Sequence, residues 1–368
     1  MNKPKRLMSL DALRGFDMLF IMGLSSLIVA ICELFPGGAD CAVAQQMSHV
    51  SWHGLRHHDT IFPLFLFVAG ISFPFSYANQ LAKGMSRKDI YIKIFKRGFT
   101  LFFLGLVYNG LFKFDFENLR VASVLGRIGF AWMFAALLFI NCNVKQRSII
   151  AAVVLVGYWL LLRFVSAPDV PGADPFSFED NLVGYIDRLF LPGRILSKTF
   201  DPEGILSTLP AIVTAMLGMM TGEFVKQPDS KFSGNKKSLY MFLAAVAMLV
   251  VGLVWSTVFP INKKLWTSTF VLVVGAYSLG MFALFYYIID VKGYQKWTLF
   301  FRVVGLNSIT IYLAQRIFSF SSINNFFFGG IAKLLPDAIG HVVLDGGYLF
   351  VSWLFLYFLY KKNIFLKV

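Results

Sequence analysis

The stretch Ser48-His49-Val50-Ser51-Trp52-His53-Gly54-Leu55-Arg56-His57-His58-Asp59 holds four of the five histidines in the chain. An imidazole titrates near neutral pH, so one of these rings can take a proton from an attacking amine or hydroxyl. Asp59 offers the carboxylate that would orient such a ring and stabilise it once protonated. Two plainer uses compete. His49, His53 and His57 fall four apart, a spacing that would line one helical face for a metal. No thiol or carboxylate cluster completes that site, so no metal is expected. A solvated loop beside an interfacial Trp52, with Asp59 favoured at a helix start by its charge, accounts for the same composition. On residue types alone the loop reading is the simpler one, and nothing in them singles out one histidine.

Other polar groups interrupt apolar runs. Asp17 sits in the first, Arg127 begins the fourth, and Asn307-Ser308 breaks the ninth. Ionisable groups at membrane depth are costly and face cavities. A buried Asn307 suits a bond to a neighbouring helix as well as a contact to a ligand. Asp201-Pro202-Glu203-Gly204 has the residues of a turn with acids at a helix start. Cys32, Cys41 and Cys142 form no CxxC pair, so there is no zinc or redox signature.

The elements that must position these groups are membrane helices. The 368 residues are 57% hydrophobic, 17% aromatic and only 15% charged, with a mean hydropathy of +0.67. A soluble chain is about half apolar and a quarter charged, so this excess calls for lipid as solvent. A span needs about 20 apolar residues. Spans are predicted near 14–34, 59–81, 94–112, 121–141, 147–166, 204–225, 238–258, 266–289, 298–318 and 343–360. The fold class is therefore all-α, a polytopic membrane bundle of about ten helices.

Alternating loops then gather Arg14, Lys83, Arg87, Lys88, Lys93, Lys96, Arg97, Lys145, Arg147, Lys226, Lys231, Lys236 and Lys237 on one side. Lys3, Lys5, Arg6, Lys292, Lys296, Arg302, Lys361, Lys362 and Lys367 fall there too. Basic loops stay cytoplasmic, which predicts both termini inside. The net charge of +14 thus reads as topology rather than as a nucleic-acid surface. The basic start leads into a run too long for a cleavable signal, and a retained first helix is expected. Two outer segments, from about Phe35 to His58 and from about Ser166 to Glu203, are long enough to carry function. No repeat or low-complexity tract divides the chain, so one membrane domain over 1–368 is expected. The 41 phenylalanines suit lipid-facing helices and leave homo-oligomerisation open.

The ordered segments Leu10-Asp11-Ala12-Leu13-Arg14-Gly15, Ser51-Trp52-His53-Gly54-Leu55, Asp59 with Phe62-Pro63, and Asp201-Pro202-Glu203-Gly204-Ile205-Leu206 carry a resemblance. It continues through Asn262-Lys263-Lys264-Leu265-Trp266, Asp290-Val291-Lys292-Gly293 and Gly305-Leu306-Asn307-Ser308. Together they resemble the catalytic membrane domain of the heparan-alpha-glucosaminide N-acetyltransferase family, including its bacterial relatives. The resemblance implies a transmembrane acetyltransferase that takes acetyl from cytoplasmic acetyl-CoA and gives it to an amino sugar or glycan on the outer face. By the family's motif the active histidine falls on His49, three residues before Trp52, and its aspartate on Asp59. The family has asparagine where this chain has Ser25 and where it has His53, so Ser25 becomes a candidate acceptor contact with altered geometry. The family's lumenal segment and extra helix find no match here, which suits a bacterial inner (cytoplasmic) membrane better than a lysosome.

Within that scheme His49 is a general base or an acetyl carrier, and Asp59 holds its ring. Asn307, Asp201 and Glu203 are candidate substrate contacts, with Asn307 a donor to the oxyanion. Arg14, Lys96 and Arg97 are candidates for the phosphates of acetyl-CoA. The rival is a multi-pass transporter of a small solute or sugar without covalent chemistry, which composition fits equally. Inverted repeats and broken helices mark many carriers, and no such symmetry is visible. Transfer to a hydroxyl rather than an amine is a third reading.

Overall fold

In the computed structural model, residues 7–170, 172 and 174–366 are described, so Lys3, Lys5, Arg6 and Lys367 of the basic set lie outside the described residues. Every predicted span meets a helix. Eight are long and apolar enough to cross a membrane: Met8–Cys32, His57–Ala82, Val124–Asn141, Val144–Phe164, Thr208–Val225, Gly234–Trp255, Ser268–Val291 and Asp337–Lys361. Lys296–Gly305 and Ser308–Ile317 make a further span bent by 53°. Arg87–Tyr108 has the length but carries Lys93, Lys96 and Arg97 among its apolar residues.

Local chemistry starts these helices where they start. Ser86 accepts from Asp89 N, Ser123 from Gly126 N and Asn181 from Gly184 N, each satisfying a first-turn donor. Asn143 and Gln146 form a reciprocal capping box. Two helices are not legible as spans. Phe320–Lys333 is short and mixes Asn and Gly with its phenylalanines, and Asn324 Nδ2 ties it to Leu344 O at 2.9 Å. Leu182–Phe190 lies inside the long outer segment 166–203.

Packing divides the described chain into two units. The first holds the residues up to Val50, Arg56–Ile61, and those from Met281 on. Its first helix crosses Leu299–Gly305 with backbones nearly touching: a Cβ on Gly15 would sit 1.7 Å from Phe301 O, and one on Gly305 2.0 Å from Asp11 O. Small residues permit such approach where lipid removes the hydrophobic drive between helices. Asp290 accepts from Met8 N and Ser9 N, both at 3.2 Å, at the positive start of the first helix. Met18, Leu19, Met22, Val303, Val304, Ile311 and Leu356 fill the core.

The second unit holds Ser51–Leu55 and Phe62–Gly280. Tyr158, Leu162, Phe176, Leu182, Val183, Phe259 and Leu265 pack together in it, and Tyr158 OH donates to Leu265 O at 2.7 Å. Gly234–Trp255 exposes Phe242, Leu243, Val250, Leu253 and Val254. A stripe that apolar on a span faces acyl chains.

Candidate functional site

Asp59 lies in the first turn of His57–Ala82 and is 1% exposed. Its Oδ1 is 2.7 Å from His49 Nδ1. Its Oδ2 accepts from Arg56 N at 3.1 Å and Val50 N at 3.3 Å. The carboxylate therefore closes the loop on itself and fixes one ring nitrogen of a half-exposed His49. Arg56 Nη1 donates to Ser48 Oγ at 2.6 Å and His49 O at 3.3 Å, holding the backbone on the other flank. A carboxylate bonded to Nδ1 selects the tautomer with the proton on that nitrogen, which directs proton uptake to Nε2.

The next ring is His58, whose centroid is 4.5 Å from that of His49 at 63°. His58 Nδ1 is 3.1 Å from Ser25 Oγ. Ser25 follows a π-helical turn, Phe20–Leu24, in which Gly23 takes φ 129°. Only glycine enters that region without strain. The bulge frees a carbonyl, and Gln315 Nε2 reaches Met22 O at 3.4 Å and Tyr348 OH at 3.0 Å. Such bulges cluster at functional sites. A cavity of about 630 Å³ opens beside it, with Ser25 and His58 in its wall.

Asn307 falls at the break in the bent span and is 1% exposed. Its Oδ1 accepts from Thr310 Oγ1 at 3.3 Å, and its Nδ2 has no partner among the described residues. Asp17 is equally buried, and its Oδ2 is likewise unmatched among the described residues. Arg14 is half-buried, 4.0 Å from Asp11. Ser25, His49, Asp59, Arg14 and Asn307 all belong to the first unit, and Lys96, Arg97, Asp201 and Glu203 to the second. Lys96 is exposed, and the Arg97 guanidinium lies 4.1 Å from the centre of the Trp132 ring.

Asp201 and Glu203 meet Arg120. Asp201 Oδ2 accepts from Arg120 Nε at 2.8 Å and Leu196 N at 3.2 Å, its Oδ1 from Glu203 N at 3.0 Å, and Arg120 Nη2 also reaches Glu203. Asp201 is fully buried, its oxygens filled by protein donors. Burial pushes the Asp201 carboxyl up, but Arg120 outweighs it and holds the group below the usual carboxylate range. Burial likewise opposes the Arg120 charge, and the two acids overcome it. Behind the turn, Asp187 accepts from Asp201 N at 3.1 Å and Ile205 N at 2.9 Å. A Cβ on Gly204 would sit 2.1 Å from Asp187 Oδ2, which explains the glycine in the motif. Arg127 reaches Gly204 O at 3.2 Å and Ser207, and stands 5.0 Å from the Trp266 ring.

Burial raises the Asp187 carboxyl from 3.8 to about 6, against those two backbone donors. A carboxyl raised on folding stabilises fully below its unfolded value and loses that contribution as pH climbs through the folded one. The stability gap between the native chain and Asp187→Ala is therefore expected to be wider near pH 5 than near pH 7.5. Heating followed by size exclusion reads it, and an equal gap at both pH values contradicts it.

His53 stands apart from His49 in packing. Its Nδ1 is 3.3 Å from Asn262 Nδ2, and burial holds the ring below the usual imidazole range, with Asp174 opposing. Trp52 Nε1 donates to Phe176 O at 2.8 Å, and Lys264 Nζ to Ser51 O at 2.8 Å. The five-residue motif is thus bonded to the Asn262–Trp266 segment of its own unit. Among the described residues no three His, Cys, Asp or Glu side chains converge as metal ligands, and Cys32, Cys41 and Cys142 are free thiols.

A family profile described as heparan-alpha-glucosaminide N-acetyltransferase, catalytic, matches residues 6–252. The chain belongs to that family. The human heparan-alpha-glucosaminide N-acetyltransferase is 28% identical over 99% of this chain, and the mouse protein of the same name 26% over all of it. The chain spans about 60% of the length of these relatives. The profile takes in His49, Asp59, Ser25, Asp201, Glu203, Arg14, Lys96 and Arg97, while Asn307 lies past its end. Arg120, Asp187 and the Ser25–His58 bond escape a reading of sequence. Arg120 is 81 residues from Asp201, and no spacing rule links them. The DPEG turn, acidic and buried, was the available signal that a cation must meet it.

Proposed function

We propose that this chain is a transmembrane acetyltransferase, acting as one domain of a multi-pass protein in the cytoplasmic membrane. It moves acetyl from acetyl-CoA on the cytoplasmic face to the amino group of a sugar or glycan on the outer face. The observation that carries the reading is the 2.7 Å contact between His49 Nδ1 and the buried Asp59, at the positions of the family motif.

In this scheme the neutral amine attacks the thioester carbonyl carbon. A C–N bond forms, the C–S bond breaks, and the pair on sulfur leaves with CoA. His49 Nε2 takes the proton that the amine sheds and returns it to the departing sulfur. Asp59 keeps the ring in the competent tautomer and offsets the charge of its protonated form. Asn307, whose Nδ2 has no partner among the described residues, is assigned to donate to the developing oxyanion. Arg14 in the first unit, and separately Lys96 and Arg97 in the second, are each candidates for a phosphate of the donor. Asp201 and Glu203, engaged by Arg120, are assigned to hold the acceptor-side turn in shape.

The test is an acceptor screen with purified full-length protein, labelled acetyl-CoA and a set of amino sugars and short glycans. Labelled N-acetyl product with at least one amino sugar is expected. Label appearing only on hydroxyls redirects the reaction to oxygen, and no product with any acceptor contradicts the proposal.

A further inference from the structure

Two thiols that the proposed reaction leaves unused meet at the end of the first span. Cys32 closes the helix Ser25–Cys32, and Cys41 caps the short helix Ala42–Gln46. The chain between them doubles back. Phe35 N donates to Cys32 O at 3.0 Å, Gly38 N to Phe35 O at 2.9 Å, and Cys41 N to Gly38 O at 3.2 Å. Gly37 turns the backbone at φ 70°, and a Cβ on Gly38 would sit 1.7 Å from Cys32 O. Two glycines thus let the chain fold onto the residue that ends the span. The turn brings the two thiols within side-chain hydrogen-bonding reach of each other. Both are half-buried, and residues 33–37 between them are exposed. Cys142 belongs to the other unit.

The pair is asymmetric. Cys41 Sγ accepts from Ala44 N at 3.4 Å. That donor, helped by the Cys32 thiol, holds the Cys41 thiol below its ordinary range against the burial that opposes it. The thiolate is the attacking form of cysteine. Cys41 is therefore the sulfur that reacts first, and Cys32 the one that follows.

We infer that Cys32 and Cys41 are a redox pair that closes to a disulfide on meeting a disulfide oxidant, stapling the end of the first span to the segment that runs on to His49. The Cys41 thiolate attacks one sulfur of the oxidant's S–S bond, which breaks, and the electron pair leaves on the other sulfur. Cys32 then sheds its proton and attacks Cys41 Sγ, so that the Cys32–Cys41 bond forms as the mixed disulfide breaks. The chain loses two electrons and two protons, and the oxidant gains them and leaves as two thiols. The staple bears on the site through Gln46, whose Oε1 accepts from His57 N at 2.8 Å, at the start of the helix that carries Asp59. Compartments outside the cytoplasm keep such bonds oxidised. The inference takes from the proposed function only the outer placement of this segment, and the chemistry of the pair does not depend on it.

The experiment reduces the purified full-length chain, removes the reductant, adds oxidised glutathione at neutral pH, and then alkylates with N-ethylmaleimide for peptide mass spectrometry. The peptides of Cys32 and Cys41 are expected to be joined, with maleimide on Cys142. In Cys32→Ser, glutathione should stay trapped on Cys41. In Cys41→Ser, Cys32 should take glutathione at least about tenfold more slowly. Closing the pair should raise the thermal midpoint of the native chain by about 3 °C or more and leave both serine variants unmoved. Maleimide on both Cys32 and Cys41 after oxidation, equal glutathionylation rates in the two variants, or a midpoint that does not respond to closure overturns the inference. A second sample, alkylated in its membranes before solubilisation, reads the compartment. A pair that closes with glutathione after purification yet arrives fully reduced would sink the outer placement and leave the redox pair standing.

Discussion

His49→Ala protein is expected to fold, to bind acetyl-CoA with native affinity, and to lose transfer by about 10²–10⁴-fold, the usual worth of a positioned general base. The ring is half-exposed and its removal leaves no core cavity, so the loss should fall on kcat rather than on yield. Asp59→Asn should fall in the same direction, because the amide can present its NH2 to Nδ1 and favour the wrong tautomer. With its NH2 on Nδ1 the amide keeps its oxygen on Arg56 N and Val50 N, so Asp59→Asn should fold with its loop intact and the loss should again fall on kcat. Rapid acid quench of the native reaction distinguishes direct transfer from an acetyl-histidine: label on the protein marks the second route. Near-native turnover in folded His49→Ala would remove the imidazole from the chemistry.

Arg120→Ala should be the most damaging substitution for stability outside the spans. The guanidinium lies between Asp201, fully buried, and Glu203, with side-chain exposures of 14%, 0% and 10% for the three. Removing the cation strands two desolvated carboxylates, and breaking a buried pair typically costs about 3–5 kcal/mol. Arg120→Lys should recover only part of this, since an ammonium cannot reproduce the fork that spans Asp201 and Glu203. Thermal unfolding in detergent reads both, and native stability in Arg120→Ala would show the network to be ornamental.

The spans were legible because lipid imposes one rule, about 20 apolar residues per crossing, that local sequence can obey without knowing its neighbours. Asn307 and Ser308 stood out as polar groups in an apolar run, but the 53° bend between Lys296–Gly305 and Ser308–Ile317 did not, since 298–318 reads as one continuous span. The ten-residue spacing of His49 and Asp59 was readable only through the family motif, since the contact is made by a loop that Arg56 and Val50 fold back on the carboxylate. The Ser25–His58 bond was not readable. It joins residues 33 apart and depends on a π-helical turn, which composition does not announce. Phe320–Lys333 was hidden because a short helix carrying Asn and Gly resembles a connection until its packing is known.

The most direct test reconstitutes the chain in proteoliposomes with labelled acetyl-CoA on one side and glucosamine sealed on the other. N-acetylglucosamine is expected to accumulate with the acceptor, with the CoA thiol released on the donor side. Unmodified glucosamine crossing the bilayer, with no acetylated product on either side, would contradict it and make the protein a carrier.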